Sequence, residues 1–129
     1  MLKLQNKIEV LIPKADNEGV KINDLVIEDN LETITSICGG LTMTDCKGAW
    51  YSTELGHLMF DDNVNYEWFY TQDLDLYHVS LSVASIVHTL IKDYGQEAVS
   101  VKINGNLLVI FEHDLKNLDE KLHEFMEVK

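Results

Sequence analysis

Arginine is absent from this 129-residue chain, whose ten basic residues are all lysines. The planar guanidinium group that binds phosphates and carboxylates through two parallel hydrogen bonds is therefore missing. Phosphate recognition would have to depend on lysines, backbone N–H groups or helix N-termini. Basic residues are also few, because 22 acidic residues give a net charge of −12 and a pI near 4.6. This balance opposes direct binding to nucleic acid or to an anionic membrane surface.

Proline, cysteine and long apolar runs are scarce as well. The single proline is Pro13, and we find no repeat, low-complexity tract, signal peptide or apolar run of membrane-spanning length. These features predict one soluble, intracellular domain over residues 1–129. Cys38 and Cys46 have no second pair and no nearby histidine. A structural zinc site needs four ligands and a redox pair is usually Cys-x-x-Cys, so we expect two reduced thiols and no metal.

The first quarter of the chain predicts a strand followed by a helix. Residues 7–14 alternate between apolar and other side chains, which is typical of a strand, and Pro13 can lie at its end. Apolar residues then recur at helical spacing as far as Cys38, with Asn23 or Asp24 available as the N-cap. Gly39 and Gly40 are expected to end this helix, because glycine adopts the left-handed conformation at little cost.

Three segments are predicted between residues 41 and 71. Residues 41–52 read as a strand, in which Lys47-Gly48 suggests a bulge or turn. Residues 54–65 are expected to be a loop or irregular hairpin. Residues 66–71 are rich in aromatic side chains, which favours another strand.

The second half of the chain predicts a strand, a helix, a hairpin and a last helix. Residues 76–83 alternate in the manner of a strand, and residues 85–94 have a broad apolar stripe at helical spacing. Asn104-Gly105 between two β-branched runs predicts a type I′ hairpin of residues 98–103 and 106–111. Asp114 is expected to cap a final helix, whose buried stripe would be Leu115, Leu118, Leu122 and Phe125.

The resulting order is β-α-β-β-β-α-β-β-α. A helix cannot bury its apolar stripe alone, so the economical arrangement is an antiparallel sheet with the two inner helices on one face. The sequence therefore predicts an α+β fold, ferredoxin-like with additions, and a C-terminal helix.

Three short motifs carry a resemblance to known proteins. They are Gly39-Gly40-Leu41-Thr42, Gly48-Ala49-Trp50 and the run from Tyr94 to Val99. With them the chain resembles small uncharacterised proteins of phages and plasmids from Gram-positive hosts. It is also weakly similar to phage sponge proteins that defeat the Thoeris defence by sequestering cyclic ADP-ribose signals. The resemblance implies an anti-defence protein of a mobile element.

Acidic and aromatic residues concentrate in the middle of the chain. No lysine occurs between Lys47 and Lys92, and eight of the eleven aromatic residues lie between Trp50 and Tyr77. If exposed, the aromatic side chains would form a stacking platform, whereas aromatic residues of strands more often belong to the core. The candidate partner- or ligand-binding residues are Trp50, Tyr51, Glu54, Asp61, Asp62, Glu67, Trp68, Tyr70, Asp73 and Asp75.

These features favour a non-catalytic inhibitor that acts in the host cytoplasm. Its acidic surface would imitate nucleic acid and block a host defence protein with a basic binding surface. One alternative is a sponge for a nucleotide-like small molecule, with the pocket at a homo-oligomer interface. Another is a small enzyme on the ferredoxin-like scaffold. We expect no enzyme, no catalytic residue and no cofactor, because the sequence offers no set of acid, base and nucleophile.

Overall fold

Five antiparallel strands form one sheet, and helices pack on one of its faces. The computed structural model describes residues 1–127. The strands run in the order β2-β3-β1-β4-β5. The elements are β1 (Asn6–Pro13), α1 (Leu25–Cys38), β2 (Thr42–Ser52), β3 (His57–Tyr70), α2 (Leu76–Lys92), β4 (Ala98–Ile103), β5 (Asn106–Phe111), a 3₁₀ turn (Glu112–Asp114) and α3 (Leu118–Met126).

This architecture confirms the predicted fold class. The run β1-α1-β2-β3-α2-β4 with β1 and β3 at the centre is the ferredoxin-like arrangement, to which β5 and α3 are added. Among residues 1–127, no helix is both long and apolar enough to cross a membrane. Cys38 and Cys46 are free thiols, and burial raises the pKa of Cys38 to about 11.

The central strand β1 divides the molecule into a covered face and an open face. Ile8, Val10 and Ile12 are buried in the core under α1 and α2. Their neighbours Lys7, Glu9 and Leu11 alternate with them and are half-buried, so they lie on the opposite face. We call this second face, which carries no helix in the described part of the chain, the open face. One solvated face is common in antiparallel sheets.

Helix α1 begins and ends as predicted. Asp24 is the N-cap, and its Oδ1 accepts hydrogen bonds from the N–H groups of Val26 (2.8 Å) and Ile27 (3.1 Å). Its Oδ2 accepts a hydrogen bond from the Tyr94 hydroxyl at 2.8 Å, which links the start of α1 to the chain just after α2. Gly39 ends the helix with a φ of 93°, a conformation that glycine adopts without strain.

The Asp24 cap provides the first testable prediction. Asp24→Ala should destabilise the protein by about 1 kcal/mol at neutral pH, because an N-cap oxygen is lost. The Tyr94 hydroxyl has the largest effect on the pKa of Asp24 and lowers it; burial opposes this as the second-largest effect, and the Ile27 and Val26 N–H groups lower the pKa further, so that the net shift is downward. A lowered folded-state pKa contributes stability above the unfolded-state pKa of about 3.9, and this contribution is lost as the pH falls through the folded-state pKa.

Urea unfolding at several pH values will measure this effect. The gap in unfolding free energy between wild type and Asp24→Ala should narrow as the pH falls from about 5 to about 3. The matched control is Asn23→Ala, which removes the other residue that the sequence offered as a cap. A gap that stays constant with pH would show that the Asp24 carboxylate does not stabilise the fold through its charge.

The predicted strand over residues 76–83 is wrong, because α2 starts at Leu76. Tyr77 and Leu81, which would belong to the apolar face of a strand, are 51% and 42% exposed, whereas the intervening Ser80 is completely buried. Helical spacing explains this pattern, since Leu76, Val79 and Val83 all pack into the core. Over only eight residues, the apolar positions of this helix happen to alternate as they would in a strand.

The prediction of a loop or irregular hairpin over residues 54–65 is also wrong, because these residues belong to a regular hairpin. Strand β3 begins at His57, and its register with β2 runs without interruption from Thr42 opposite Glu67 to Ser52 opposite His57. No bulge occurs at Lys47-Gly48. A tight turn closes this long hairpin, with the N–H of Gly56 donating to the carbonyl of Ser52 at 2.8 Å.

The C-terminal hairpin is confirmed and the last helix is corrected. Asn104 and Gly105 have φ values of 51° and 84°, as a type I′ turn requires. The Asp114 carboxylate accepts the N–H of Phe111 at 2.9 Å and so closes the 3₁₀ turn, while α3 starts later, after Asn117. Phe125, which was predicted to be buried, is 46% exposed, and Met126 lies in the core instead.

Candidate functional site

A groove crosses the middle of the open face. Its volume is about 470 Å³, within the usual range of small-molecule pockets. Each of the five strands contributes to it, and the residues that line it are Glu9, Leu11, Thr44, Cys46, Asn65, Ser100, Lys102 and Leu107. We call this concavity the groove.

Two carboxylates meet beside the groove at the centre of the sheet. Glu9 on β1 lies directly opposite Glu67 on β3, and Lys102 on β4 lies opposite Glu9 on the other side. The side chains of Glu9 and Glu67 are only 16% and 24% exposed to solvent. Like charges directly opposite each other destabilise an antiparallel pair. We call these two residues the glutamate pair.

Two neighbouring side chains offset the repulsion within the glutamate pair. The Lys7 ammonium lies 3.4 Å from Glu67 and 3.9 Å from Glu9. The side-chain amide of Asn65 donates a hydrogen bond to Glu9 at 3.0 Å. Positions where local structural rules are broken, with compensation nearby, are commonly functional.

Apart from Glu9 and the cationic Lys102, the groove combines apolar and weakly polar surface. Leu11 and Leu107 supply its apolar side chains, and Thr44, Ser100 and the Cys46 thiol supply small polar groups. Phe69, next along β3 on the open face, is 40% exposed and lies opposite Lys7. A ligand with a cationic end and an apolar, hydrogen-bonding body suits this lining.

None of the residues predicted for binding lines the groove, and Glu67 alone lies beside it, opposite Glu9. Trp68 and Tyr70, its neighbours on β3, are 0% and 1% exposed, so they belong to the core and are not available to a partner. The indole N–H of Trp68 donates to the Thr35 hydroxyl at 2.9 Å, and the Tyr70 hydroxyl donates to the carbonyl of Met126 at 2.9 Å. Their hydrogen bonds explain how such large polar aromatics are accommodated inside.

Other predicted residues lie on the β2–β3 hairpin where it extends beyond β1. Trp50 and Tyr51 are 52% and 61% exposed on opposite faces of this hairpin, and Glu54 is exposed at its turn. Asp61 and Asp62 are adjacent strand residues and therefore point to opposite faces. The described residues contain no group of three or more metal-ligating side chains, and these acids do not converge on Glu67.

Asp73 and Asp75 lie in the connection from β3 to α2. Asp73 accepts a hydrogen bond from the Thr71 hydroxyl. Asp75 is the N-cap of α2, where it accepts the N–H of His78 at 3.2 Å and contacts the His78 ring at 2.5 Å. A second cleft of about 410 Å³ adjoins Asp75 and His123, but it is more open than the groove. Its polar side chains are engaged in capping and pairing.

The residues that line the groove were all absent from the set predicted for binding. Lys7 and Glu9 stand out in hindsight as charged residues on the central strand, alternating with the buried Ile8 and Val10. The pairing of Glu9 with Glu67 depends on the register between strands 58 residues apart, which no local pattern reveals. Asn65 was missed because it was placed in a loop.

Solved structures of similar fold provide the comparison with known proteins. No family model matches the chain, and the curated proteins gave no match. The chain is similar to a phage SAM lyase in complex with S-methyl-5′-thioadenosine, with a TM-score of 0.55, 16% identity and coverage of 88% of this chain and 95% of that one. For a phage SAM lyase in the apo state these values are 0.53, 14%, 86% and 94%.

The comparison contradicts one expectation from the sequence. Both similar structures are of an enzyme, so the expectation that the chain is not an enzyme is wrong. At these identities the likeness itself concerns the fold, and it extends over nearly the whole of both chains. The resemblance to phage and plasmid proteins with the Gly-Gly-Leu-Thr motif stays a prediction.

Proposed function

We propose that this protein is a phage-type lyase that cleaves S-adenosylmethionine (SAM), with the groove as its active site. The observation that carries the proposal is the glutamate pair, of which Glu9 lines the groove and Glu67 lies beside it, on a fold similar to a phage SAM lyase. SAM carries a sulfonium, an ammonium and one carboxylate, so its net charge is positive. A protein with a net charge of −12 attracts it electrostatically.

The absence of arginine fits this substrate. SAM contains adenosine but no phosphate, so the bidentate phosphate contacts that arginine provides are not needed. The absence of arginine argues against a phosphorylated ligand, but it does not argue against SAM. The adenosine part requires apolar contact and a few hydrogen bonds, which Leu11, Leu107, Thr44 and Ser100 can supply.

The proposed reaction breaks the bond between the sulfonium sulfur and the γ carbon of the methionine part. The sulfur keeps the bonding electron pair and leaves as the neutral thioether of S-methyl-5′-thioadenosine. The substrate's own α-carboxylate bonds to the γ carbon and closes homoserine lactone. Atoms and charges balance within the one molecule, as a lyase requires.

The groove contributes orientation and exclusion of water to this step. The glutamate pair binds the α-ammonium and repels the α-carboxylate, which turns the carboxylate toward the γ carbon. The positive charge on sulfur and the negative charge on the carboxylate diminish in the transition state. Water slows the step because it stabilises these charges in the substrate more than in the transition state. The apolar side chains of Leu11 and Leu107 keep water away from the reacting atoms.

Incubation of the protein with SAM, followed by mass spectrometry, tests the proposal. We expect S-methyl-5′-thioadenosine and homoserine lactone in equal amounts. In heavy-oxygen water the γ oxygen of the product should stay unlabelled, because it comes from the substrate's carboxylate. Loss of SAM no faster than in a protein-free sample would overturn the proposal, and label at the γ oxygen would replace the lyase reaction with hydrolysis.

The proposed biological role is anti-defence by removal of SAM in the host cytoplasm. A phage that depletes SAM deprives host methylation and SAM-dependent restriction enzymes of their methyl donor or cofactor. The proposed partner is thus a nucleotide-derived small molecule. Expression of the active protein in a bacterial host should lower cellular SAM and raise S-methyl-5′-thioadenosine, which metabolite extraction would measure.

A further inference from the structure

The Lys7 ammonium occupies the position in which a cationic ligand would bind. It lies between the carboxylates of Glu67 (3.4 Å) and Glu9 (3.9 Å) and 5.8 Å from the centre of the Phe69 ring. An aromatic face flanked by carboxylates is a site for organic cations such as sulfonium and quaternary ammonium groups. In the free protein the chain's own lysine fills that site.

The contacts of the Lys7 ammonium are loose. Charge-assisted N–H···O bonds are usually about 2.7–2.9 Å long, shorter than either of its ion pairs. The side chain is 37% exposed, so the ammonium can move into water without crossing packed structure. A competing cation with better geometry can therefore displace it.

The backbone of Lys7 is fixed, in contrast to its side chain. Its N–H donates to the Asn104 side-chain oxygen at 2.8 Å, and its carbonyl accepts the N–H of Asn104 at 2.9 Å. On the other side Lys7 pairs with Phe69 on β3. Displacement of the ammonium thus requires only rotation about side-chain bonds, while the strand keeps its register.

We propose that Lys7 is an internal substitute for the substrate's cationic group. Its ammonium holds the glutamate pair together in the free protein and is displaced when SAM binds. This inference rests on the proposed function. In the free groove Lys7 reduces the repulsion between Glu9 and Glu67. On binding, it competes with the substrate and so selects for ligands cationic enough to replace it.

Titration calorimetry with SAM and with S-methyl-5′-thioadenosine tests the inference on wild type, Lys7→Met and Lys47→Met. Lys7→Met keeps the unbranched side chain without its charge. Lys47→Met makes the same change in net charge on the β2–β3 hairpin, where Lys47 is mostly exposed. Lys7→Met should bind SAM about five- to thirtyfold more tightly, because two weak ion pairs no longer compete. Affinity for the neutral thioether should stay unchanged.

The outcomes separate the inference from the proposed function. Unchanged or weaker binding of SAM by Lys7→Met would overturn the inference and leave the lyase proposal standing, as would an equal gain in Lys47→Met. Failure of every variant to bind SAM would overturn the proposed function. In that case tetramethylammonium, followed by NMR shifts of the Phe69 ring, decides the inference. Larger shifts in Lys7→Met support it, and equal shifts overturn it.

Discussion

Glu67→Gln should reduce the release of S-methyl-5′-thioadenosine from SAM by about thirtyfold or more in kcat/KM. The change removes one charge of the glutamate pair while keeping the size of the side chain. Loss of one partner from a largely desolvated charge contact costs about 2–5 kcal/mol, and we expect the lower end because Glu67 is 24% exposed. The effect belongs mainly to kcat if Glu67 orients the α-carboxylate, since the loss then falls on the transition state.

Glu54→Gln is the matched control for this experiment. It makes the same chemical change and the same change in net charge at the exposed turn of the β2–β3 hairpin. Its kcat/KM should stay within about twofold of wild type, because surface charges a Debye length or more away are largely screened. Equal losses in both variants would mean that net charge, and not the groove, governs activity. Wild-type activity in Glu67→Gln would place the active site elsewhere.

Stability of Glu67→Gln provides a second reading of the same change. Removing one of two opposed carboxylates relieves repulsion across the strand pair, so the variant should be at least as resistant to urea as wild type. A variant that loses activity while gaining or keeping stability is the expected behaviour of a functional residue in a strained position. Loss of both would indicate a structural role for Glu67.

Local sequence signals were enough to predict helix ends and turns that depend on a particular type of residue. A cap at Asn23 or Asp24, the end at Gly39 and the Asn104-Gly105 hairpin were predicted, because each depends on a few adjacent residues, and the structure places the cap at Asp24. The covered face was also predictable, since β1 alternates and α1 has a clear stripe. These elements, and the need of each helix to bury its stripe, led to the correct fold class.

The groove could not be predicted because it depends on register and on the continuation of β3. Residues 57–65 lack a clean apolar alternation, since residues 57–62 extend beyond β1 and have little core to bury. Once these residues were assigned to a loop, Asn65 and the partner of Glu9 were lost with them. The acidic stretch then suggested a surface for a protein partner, whereas Glu67 pairs with an acid from a distant strand.

The aromatic stretch shows the same limit in a different form. Trp50 and Trp68 belong to neighbouring strands and look equivalent in the sequence. In the fold, Trp68 lies under α1 at the centre of the covered face, and Trp50 lies on the part of the hairpin beyond the core. Exposure of a strand residue depends on which part of its strand a helix covers. That coverage follows from the whole fold and cannot be read from neighbouring residues in the sequence.

Trp68→Ala should destabilise the fold by about 3–5 kcal/mol, the usual cost of removing a large aromatic side chain from a core. Trp68 is fully buried, and its ring stacks on Tyr66 with centroids 6.3 Å apart. The substitution also removes the indole donor to the Thr35 hydroxyl, so β3 loses a polar link to α1. Such a loss is a large part of the 5–15 kcal/mol that stabilises a typical domain.

Trp50→Ala is the control, because it makes the same change at a tryptophan that is 52% exposed. Its free energy of unfolding, measured with urea, should fall by less than about 1 kcal/mol. If Trp68→Ala does not fold at all, Trp68→Phe keeps most of the ring volume and should lose about 1 kcal/mol with the hydrogen bond. Similar urea midpoints for Trp68→Ala and Trp50→Ala would show that Trp68 does not organise the core, and the assignment of the covered face would fail with it.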